Sequence, residues 1–377
     1  MGLLKIKLKK TWDSFKRDGF LTTGSRVWSA IRAGLAPVRK GETLIVTGGI
    51  GDSARYRAYH QAEYLKLNGG KTSVTTQDNP WLCSYVDKFD KFIFHRVFFD
   101  KKIAKLINLI KRAKKKIVFD IDDLVYDPQY LQFMDYYKKM SATERELYKN
   151  GVGSEILLDP YVTECTAATT FLAQKLRELG KHVNVKKNRL SVADSKWAEK
   201  ILHVNSIPRE KVSIGYFSGT RSHDKDFETI TGPLAAILTK YPNVVLVIAG
   251  PLNIHAALEK FDERIVRLPF VNRKKHFKNI LNIDINLIPL EVGNPFCEAK
   301  SEIKFSEAGI LGKPSIASST GTFLETIENN IDGLVASNDQ EWEQGLIKLI
   351  ENVSFRKQLG QSARQKVLRE YINKKEN

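Results

Sequence analysis

From Thr43 onward the chain alternates short β-branched runs with stretches of helical periodicity, and few folds accommodate that rhythm. Thr43–Val46, Lys71–Thr75, Phe92–His95, Ile117–Phe119 and Val183–Val185 read as strands in the first half. Val212–Tyr216, Val244–Ile248, Ile265–Leu268, Ile285–Ile288 and Ser315–Ala317 read as strands in the second. The intervening stretch Ser53–Leu67 has helical spacing and runs into Asn68-Gly69-Gly70, a stop signal. Short apolar runs separated by helices predict parallel sheets covered on both faces. The rhythm restarts after the basic stretch Lys186–Lys200. The expected fold is therefore α/β, with two doubly wound Rossmann-like domains facing across a cleft. Ligands of such sheets bind beyond the carboxyl ends of the strands. The expected divisions are a basic amphipathic segment over 1–40, a first domain over 41–205, a second over 206–355 and a closing helix over 356–377.

Charge narrows the partners. The chain has 377 residues, with 60 Lys and Arg against 43 Asp and Glu, a formal charge of +17. Residues 1–200 hold +15 of this and the remainder only +2. Such asymmetry suggests that the first half meets something anionic: a membrane surface, a nucleic acid or a phosphorylated substrate. Residues 1–40 carry ten basic and two acidic side chains, with Leu3, Leu4, Ile6, Leu8, Trp12 and Phe15 among the lysines. That pattern reads either as an interfacial helix on anionic lipid or as an arm packed on the domain. No apolar run approaches the roughly 20 residues of a spanning helix, and the basic start lacks the apolar core of a signal peptide. The Met-Gly start has no Ser or Thr at position 6, which argues against myristoylation. Cys83, Cys165 and Cys297 lack metal-ligand spacing and read as reduced thiols. A cytoplasmic protein, peripheral to the inner face of the cell membrane, is the expectation.

Four motifs could carry chemistry. Gly49-Ile50-Gly51-Asp52-Ser53-Ala54 fits G-x-G-x-x-A between a strand and a helix, with Asp78 beyond the next strand. Formally this is a dinucleotide fingerprint, and it leaves open an oxidoreductase using NAD or FAD. It reads equally as a backbone turn facing the cleft, with Arg55 and Arg57 one helical turn in. Asp120-Ile121-Asp122-Asp123 at a strand end has the spacing of a phosphatase nucleophile and acid, or of a divalent metal site. The bland alternative is a carboxylate cluster capping a helix or paired with Lys111–Lys116. The loop Tyr216–Phe227, with Gly219, Thr220, Arg221, His223 and Lys225, offers backbone donors and cations to an anion. Finally, Lys300, Lys304 and Glu307 fall at i, i+4 and i+7. They are expected on one helix face, where cations suit a diphosphate and a carboxylate suits a ribose.

The stretch Ser301–Ser318, with Glu-Ala-x-x-x-Gly-Lys-Pro leading into a strand, then Ser319–Phe323 and Asp332-Gly333-Leu334-Val335, resembles the second half of family-4-like glycosyltransferases of the GT-B fold. The Tyr216–Phe227 loop looks like the first turn of their donor domain, and Trp342–Tyr371 is similar to their closing helices. The resemblance implies retaining, metal-independent transfer of a sugar from a nucleotide-sugar to a hydroxyl, with no cofactor. The acceptor would lie on the 41–205 side and the donor on the 206–355 side. It implies that Glu307 contacts the ribose and that Lys225 and Lys304 carry catalysis by neutralising the diphosphate. Gly49, Gly51, Gly219, Thr220, Arg221, Lys300 and Ser301 are the further donor-binding candidates, with Gly49–Gly51 closing on the donor from the first half. The family's first acidic position falls on Ala299, with Glu298 one place away. The expected partners are a nucleotide-sugar, a lipid-linked or saccharide acceptor of surface polysaccharide or glycolipid assembly, and an anionic membrane surface. Nucleic-acid binding by the basic half remains a rival, although no recognition motif accompanies it.

Overall fold

A computed structural model describes residues 20–203, 211–219 and 224–376. Thr220, Arg221 and His223, the expected boundary at 205 and the first half of the 1–40 segment lie outside the described residues. The chain divides into two compact units. Unit 1 holds residues up to Gln132, Lys139–Lys186 and Asn373–Asn377; unit 2 holds Phe133–Lys138 and Lys187–Ile372.

Unit 1 is a six-stranded, all-parallel sheet: β1 (Thr43–Thr47), β2 (Thr72–Thr76), β3 (Lys91–His95), β4 (Lys116–Ile121), β5 (Glu164–Ala167) and β6 (His182–Val185), in the order β2-β1-β3-β4-β5-β6. Every residue of β1 is buried, as expected of a central strand covered on both faces. The helix Lys101–Arg112 shows how a cover forms. Asp100 caps it by accepting from the Ile103 N–H at 2.8 Å, and Ile103, Leu106, Ile107 and Ile110 supply one buried stripe. Strand β5 escapes sequence reading: Glu-Cys-Thr-Ala has no β-branched run, and its position between β4 and β6 makes it a strand.

Unit 2 repeats the plan with β7 (Val212–Phe217), β8 (Val244–Ala249), β9 (Ile265–Leu268), β10 (Ile285–Ile288), β11 (Ser315–Ser318) and β12 (Leu334–Ala336), in the order β12-β11-β10-β7-β8-β9. All pairs are parallel. Its core joins Tyr216, Phe227, Leu246 and Leu287 to Trp342, Leu346 and Leu359 of the last two helices. The helix Val353–Glu370 is thus part of this unit rather than a separate appendage. The unit also begins earlier than the sequence suggests. Helix Val192–Leu202, closed by a Ser191–Asp194 capping box, is tied into it by Asp194, which accepts from Arg273 at 2.8 and 3.0 Å. Of the basic stretch, Lys196 and Lys200 lie on this helix, whereas Lys186, Lys187 and Arg189 precede it.

In both sheets the strand order reverses once, between β1 and β3 and between β7 and β10. Each reversal leaves a crevice beyond the strand ends where no crossover covers the sheet.

Candidate functional sites at the strand ends

In unit 2 the reversal lies beside the residues that follow β7, β10 and β11. Gly250, at φ +90°, brings its backbone so close to Ser218 that a Cβ there would stand 2.0 Å from the Ser218 oxygen, which fixes the Ser218-Gly219 turn. After β10, Asn294 caps the short helix Pro295–Glu298 by accepting from the Phe296 N–H at 3.0 Å. The chain then breaks at Ala299–Glu302 before the helix Ile303–Gly309. This break corrects the expectation of one helix face: Lys304 and Glu307 share a helix, whereas Lys300 sits in the turn between two. Tertiary packing still brings the three into one electrostatic neighbourhood.

Lys304 is the most perturbed cation of the site. Its ammonium lies 4.3 Å from the centroid of the buried Tyr216 ring. Among the described residues its Nζ has no hydrogen-bonded or ion-paired partner. Burial foremost lowers its proton affinity, Asp226 and Glu307 resist, and Lys300 adds repulsion, so that its pKa is pulled down to about 8. Lys300 lies 5.8 Å from the Phe296 ring centroid. Lys225 is exposed on the short helix Asp224–Glu228.

The other candidates are already engaged. Glu307 pairs through Oε1 with Arg273 and through Oε2 with His276 Nε2 at 3.0 Å. Ser301 Oγ accepts from Asn188 Nδ2 at 2.8 Å, and the buried Glu302 accepts from the Asn188 N–H at 3.1 Å. Glu298 accepts from the backbone N–H of Gly293 at 3.0 Å and of Gly321 at 2.9 Å, which ties the loop after β10 to the helix after β11. Arg273, His276 and Asp194 form the frame that holds Glu307. They were not legible in sequence because their helices, Arg273–Leu281 and Val192–Leu202, lie far along the chain from that of Glu307. Asp226, Glu291 and Cys297 bring one ligand atom each within 4.8 Å of one another. However, the Cys297 thiol donates to Asp226 at 3.1 Å, and burial, then Asp226, pushes its pKa far above the usual thiol range.

In unit 1 the reversal gathers a buried ionic network. A Cβ on Gly48 would stand 1.8 Å from the Arg96 carbonyl oxygen, so the ends of β1 and β3 touch backbone to backbone. Gly49 and Gly51 beyond it have open space around them. The following helix loosens to a π-helix over Arg55–His60, and Arg96 adopts φ +48°; both departures concentrate at functional sites. Arg57 grips Asp120 with Nε at 3.1 Å and a terminal nitrogen at 2.5 Å. His95 Nδ1 lies 2.8 Å from Asp120, its Nε2 2.7 Å from Ser53 Oγ, and Ser53 donates to Asp122 at 2.7 Å. Arg96 reaches Asp122 at 2.6 Å and Asp123 at 3.3 Å.

Ser53, His95 and Asp120 stand in the order of a nucleophilic relay. The Ser53 proton is committed to Asp122, so the imidazole, held between Ser53 and Asp120, anchors the network rather than taking that proton. Burial raises the proton affinity of both inner carboxyls but is outweighed. Arg57 and His95 hold Asp120 down, and Arg96, His95 and Ser53 hold Asp122 far below the usual carboxylate range. The aspartates therefore do not pair with Lys111–Lys116: Lys111 and Lys116 bridge to Asp159 and Glu164. Neither carboxylate is basic enough to be a proton acceptor near neutral pH. The sequence signal for His95 and Arg96 was available, two polar residues ending the apolar run Phe92-Ile93-Phe94.

Residues 199–366 match the family model described as glycosyl transferases group 1. The matched stretch falls within unit 2. An uncharacterized glycosyltransferase of Methanocaldococcus jannaschii is 27% identical over 184 residues, 46% of this chain and 45% of that protein, so the match spans under half of its length. Among solved structures, HepE of Anabaena in complex with UDP has a TM-score of 0.57 at 14% identity, covering 88% of this chain and 96% of its own. WaaG, a glycosyltransferase involved in lipopolysaccharide biosynthesis, has a TM-score of 0.56 at 14% identity, covering 86% and 95%. A glycosyltransferase from Rickettsia africae reaches 0.58 at 14% identity, covering 88% and 95%. The two Rossmann-like units are those of the GT-B fold. Among the described residues no helix is long and apolar enough to cross a membrane.

Proposed function

We propose that the protein moves a sugar from a nucleotide-sugar to a hydroxyl of a membrane- or polysaccharide-associated acceptor, with retention and without a bound metal. The observation that carries this reading is Lys304: a cation held half-buried against Tyr216, without an ion-paired partner among the described residues, inside the stretch that matches the group 1 glycosyltransferase model. When the bond between sugar and phosphate breaks, the nucleoside diphosphate departs with growing negative charge. Lys304, assisted by Lys300 and Lys225, neutralises that charge where solvent screens it little. Ser218-Gly219, with Thr220 and Arg221, would supply further donors. Glu307, held by Arg273 and His276, keeps lone pairs to accept from ribose hydroxyls. The acceptor hydroxyl gives its proton to the departing phosphate oxygen, so no carboxylate base is required, in keeping with the ion-paired aspartates of unit 1.

HepE was solved with UDP and with UDP-glucose, which puts uridine diphosphate sugars first in a panel of donors. The +15 of the first 200 residues and the part of WaaG in lipopolysaccharide biosynthesis support a membrane-associated acceptor at a cytoplasmic membrane face.

A thermal-shift panel of nucleoside diphosphates and their sugars tests the donor, because a ligand of the native state raises the midpoint. A rise with one base and none in Lys304→Ala is expected; equal rises in both proteins would remove Lys304 from the site. Transfer should survive EDTA. Loss restored by Mn²⁺ would point instead to a metal.

A further inference from the structure

We infer that the outer face of the helix Phe20–Leu35 is a docking surface for an anionic lipid bilayer. This deepens the membrane association just proposed by naming the face that makes it. The helix rests against unit 1 through small and half-buried residues. Gly34 is buried, and a Cβ there would meet Thr76 Oγ1 at 3.5 Å. The opposite side is apolar where a solvated helix would be polar. Trp28 is 69% exposed, Ile31 47% and Leu35 52%, and their spacing of i, i+3 and i+7 makes one stripe.

Cations border that stripe. Arg32 is exposed in the last turn among these residues, Arg39 and Lys40 are exposed just after the helix, and the helix contains no acidic residue. The sequence of residues 1–40 as a whole is strongly basic. Charge decides the occupant. A second copy would bring the same cations against these, and like charges repel at a shared interface. An anionic bilayer offers both an apolar layer for Trp28, Ile31 and Leu35 and counter-charge for the arginines. Tryptophan and arginine prefer that boundary, the ring at headgroup depth and the guanidinium outward.

The test is co-sedimentation of the full chain with phosphatidylcholine vesicles, with and without phosphatidylglycerol, across a salt series. Binding is expected only with phosphatidylglycerol and should weaken as salt rises. Combining Trp28→Ala, Ile31→Ala and Leu35→Ala should cut the partition coefficient by roughly tenfold or more. Arg32→Glu with Arg39→Glu should do so without touching the apolar stripe, a second route if the triple variant fails to fold. Trp28→Phe should reduce quenching by brominated lipid. Unchanged partition in folded variants would overturn the inference. So would wild-type self-association lost in the triple variant, which would make a second copy the occupant. The assay needs no donor or acceptor, so its failure is separate from that of the transfer reading. Lys304→Ala should bind vesicles as the wild type does.

Discussion

The two strand-order reversals occupy the same place in two similar sheets, and they treat charge in opposite ways. In unit 1 every charge of the crevice has a partner: Arg57 with Asp120, Arg96 with Asp122 and Asp123, and His95 between Asp120 and Ser53. Such a network is rigid and chemically quiet, since its neighbours hold the inner carboxylates in their charged form. In unit 2 the neighbouring carboxylates are spent elsewhere, Glu307 on Arg273 and His276 and Glu298 on two backbone N–H groups. Lys304 is left against an aromatic ring with its charge under strain. A paired network secures a frame, whereas an unpaired half-buried cation costs stability until an anion arrives.

The contrast can be broken most severely at Asp120. Asp120→Asn leaves buried Arg57 without its counter-ion and should cost about 3–5 kcal/mol of unfolding free energy in denaturant titration. The same network predicts acid behaviour. Asp120 and Asp122 are depressed in the native state, so their stabilisation is full above the unfolded-chain value near 4 and drains only as pH falls through their lower native values. Wild-type unfolding is therefore expected only in strong acid, and a transition near pH 5 would contradict the pairing.

Next in size is Lys304→Ala, which should lower kcat/KM for transfer about 10²–10³-fold, on the scale of removing one transition-state donor. Steady-state kinetics with the donor identified by thermal shift would measure it. Lys304→Met should do the reverse for stability. Because the native pKa lies below that of the unfolded chain, the charged lysine opposes folding below about pH 8 and ceases to as pH rises past the unfolded value. The methionine variant should gain roughly 1–2 kcal/mol at neutral pH while losing activity. A destabilised Lys304→Met would mean that the cation is paired after all.

The smallest expected effect is a pH dependence. Nucleoside diphosphate affinity should fall several-fold as pH rises through about 8, where Lys304 loses its proton. Lys304→Arg, whose charge persists, should flatten that fall. An unchanged profile would assign the anion to another cation.

Sequence alone determined the α/β class and the two sheets, because period and β-branched content register burial on both faces without knowledge of partners. Ten of the twelve strands were legible that way. Strands β5 and β12 were not, since Glu164–Ala167 and Leu334–Ala336 are short and owe their state to neighbours. Sequence also picked out Lys304 and Glu307 by spacing within one helix, a local property. Only the tertiary structure decided that Lys300 leaves that helix, that Ser301 is spent on Asn188, and that Arg57, His95 and Arg96 engage the aspartates at the end of β4 and just beyond it. Those partners lie 25 to 113 residues apart in the chain, and which ionisable group meets which is fixed by strand order, a long-range property that local periodicity does not encode.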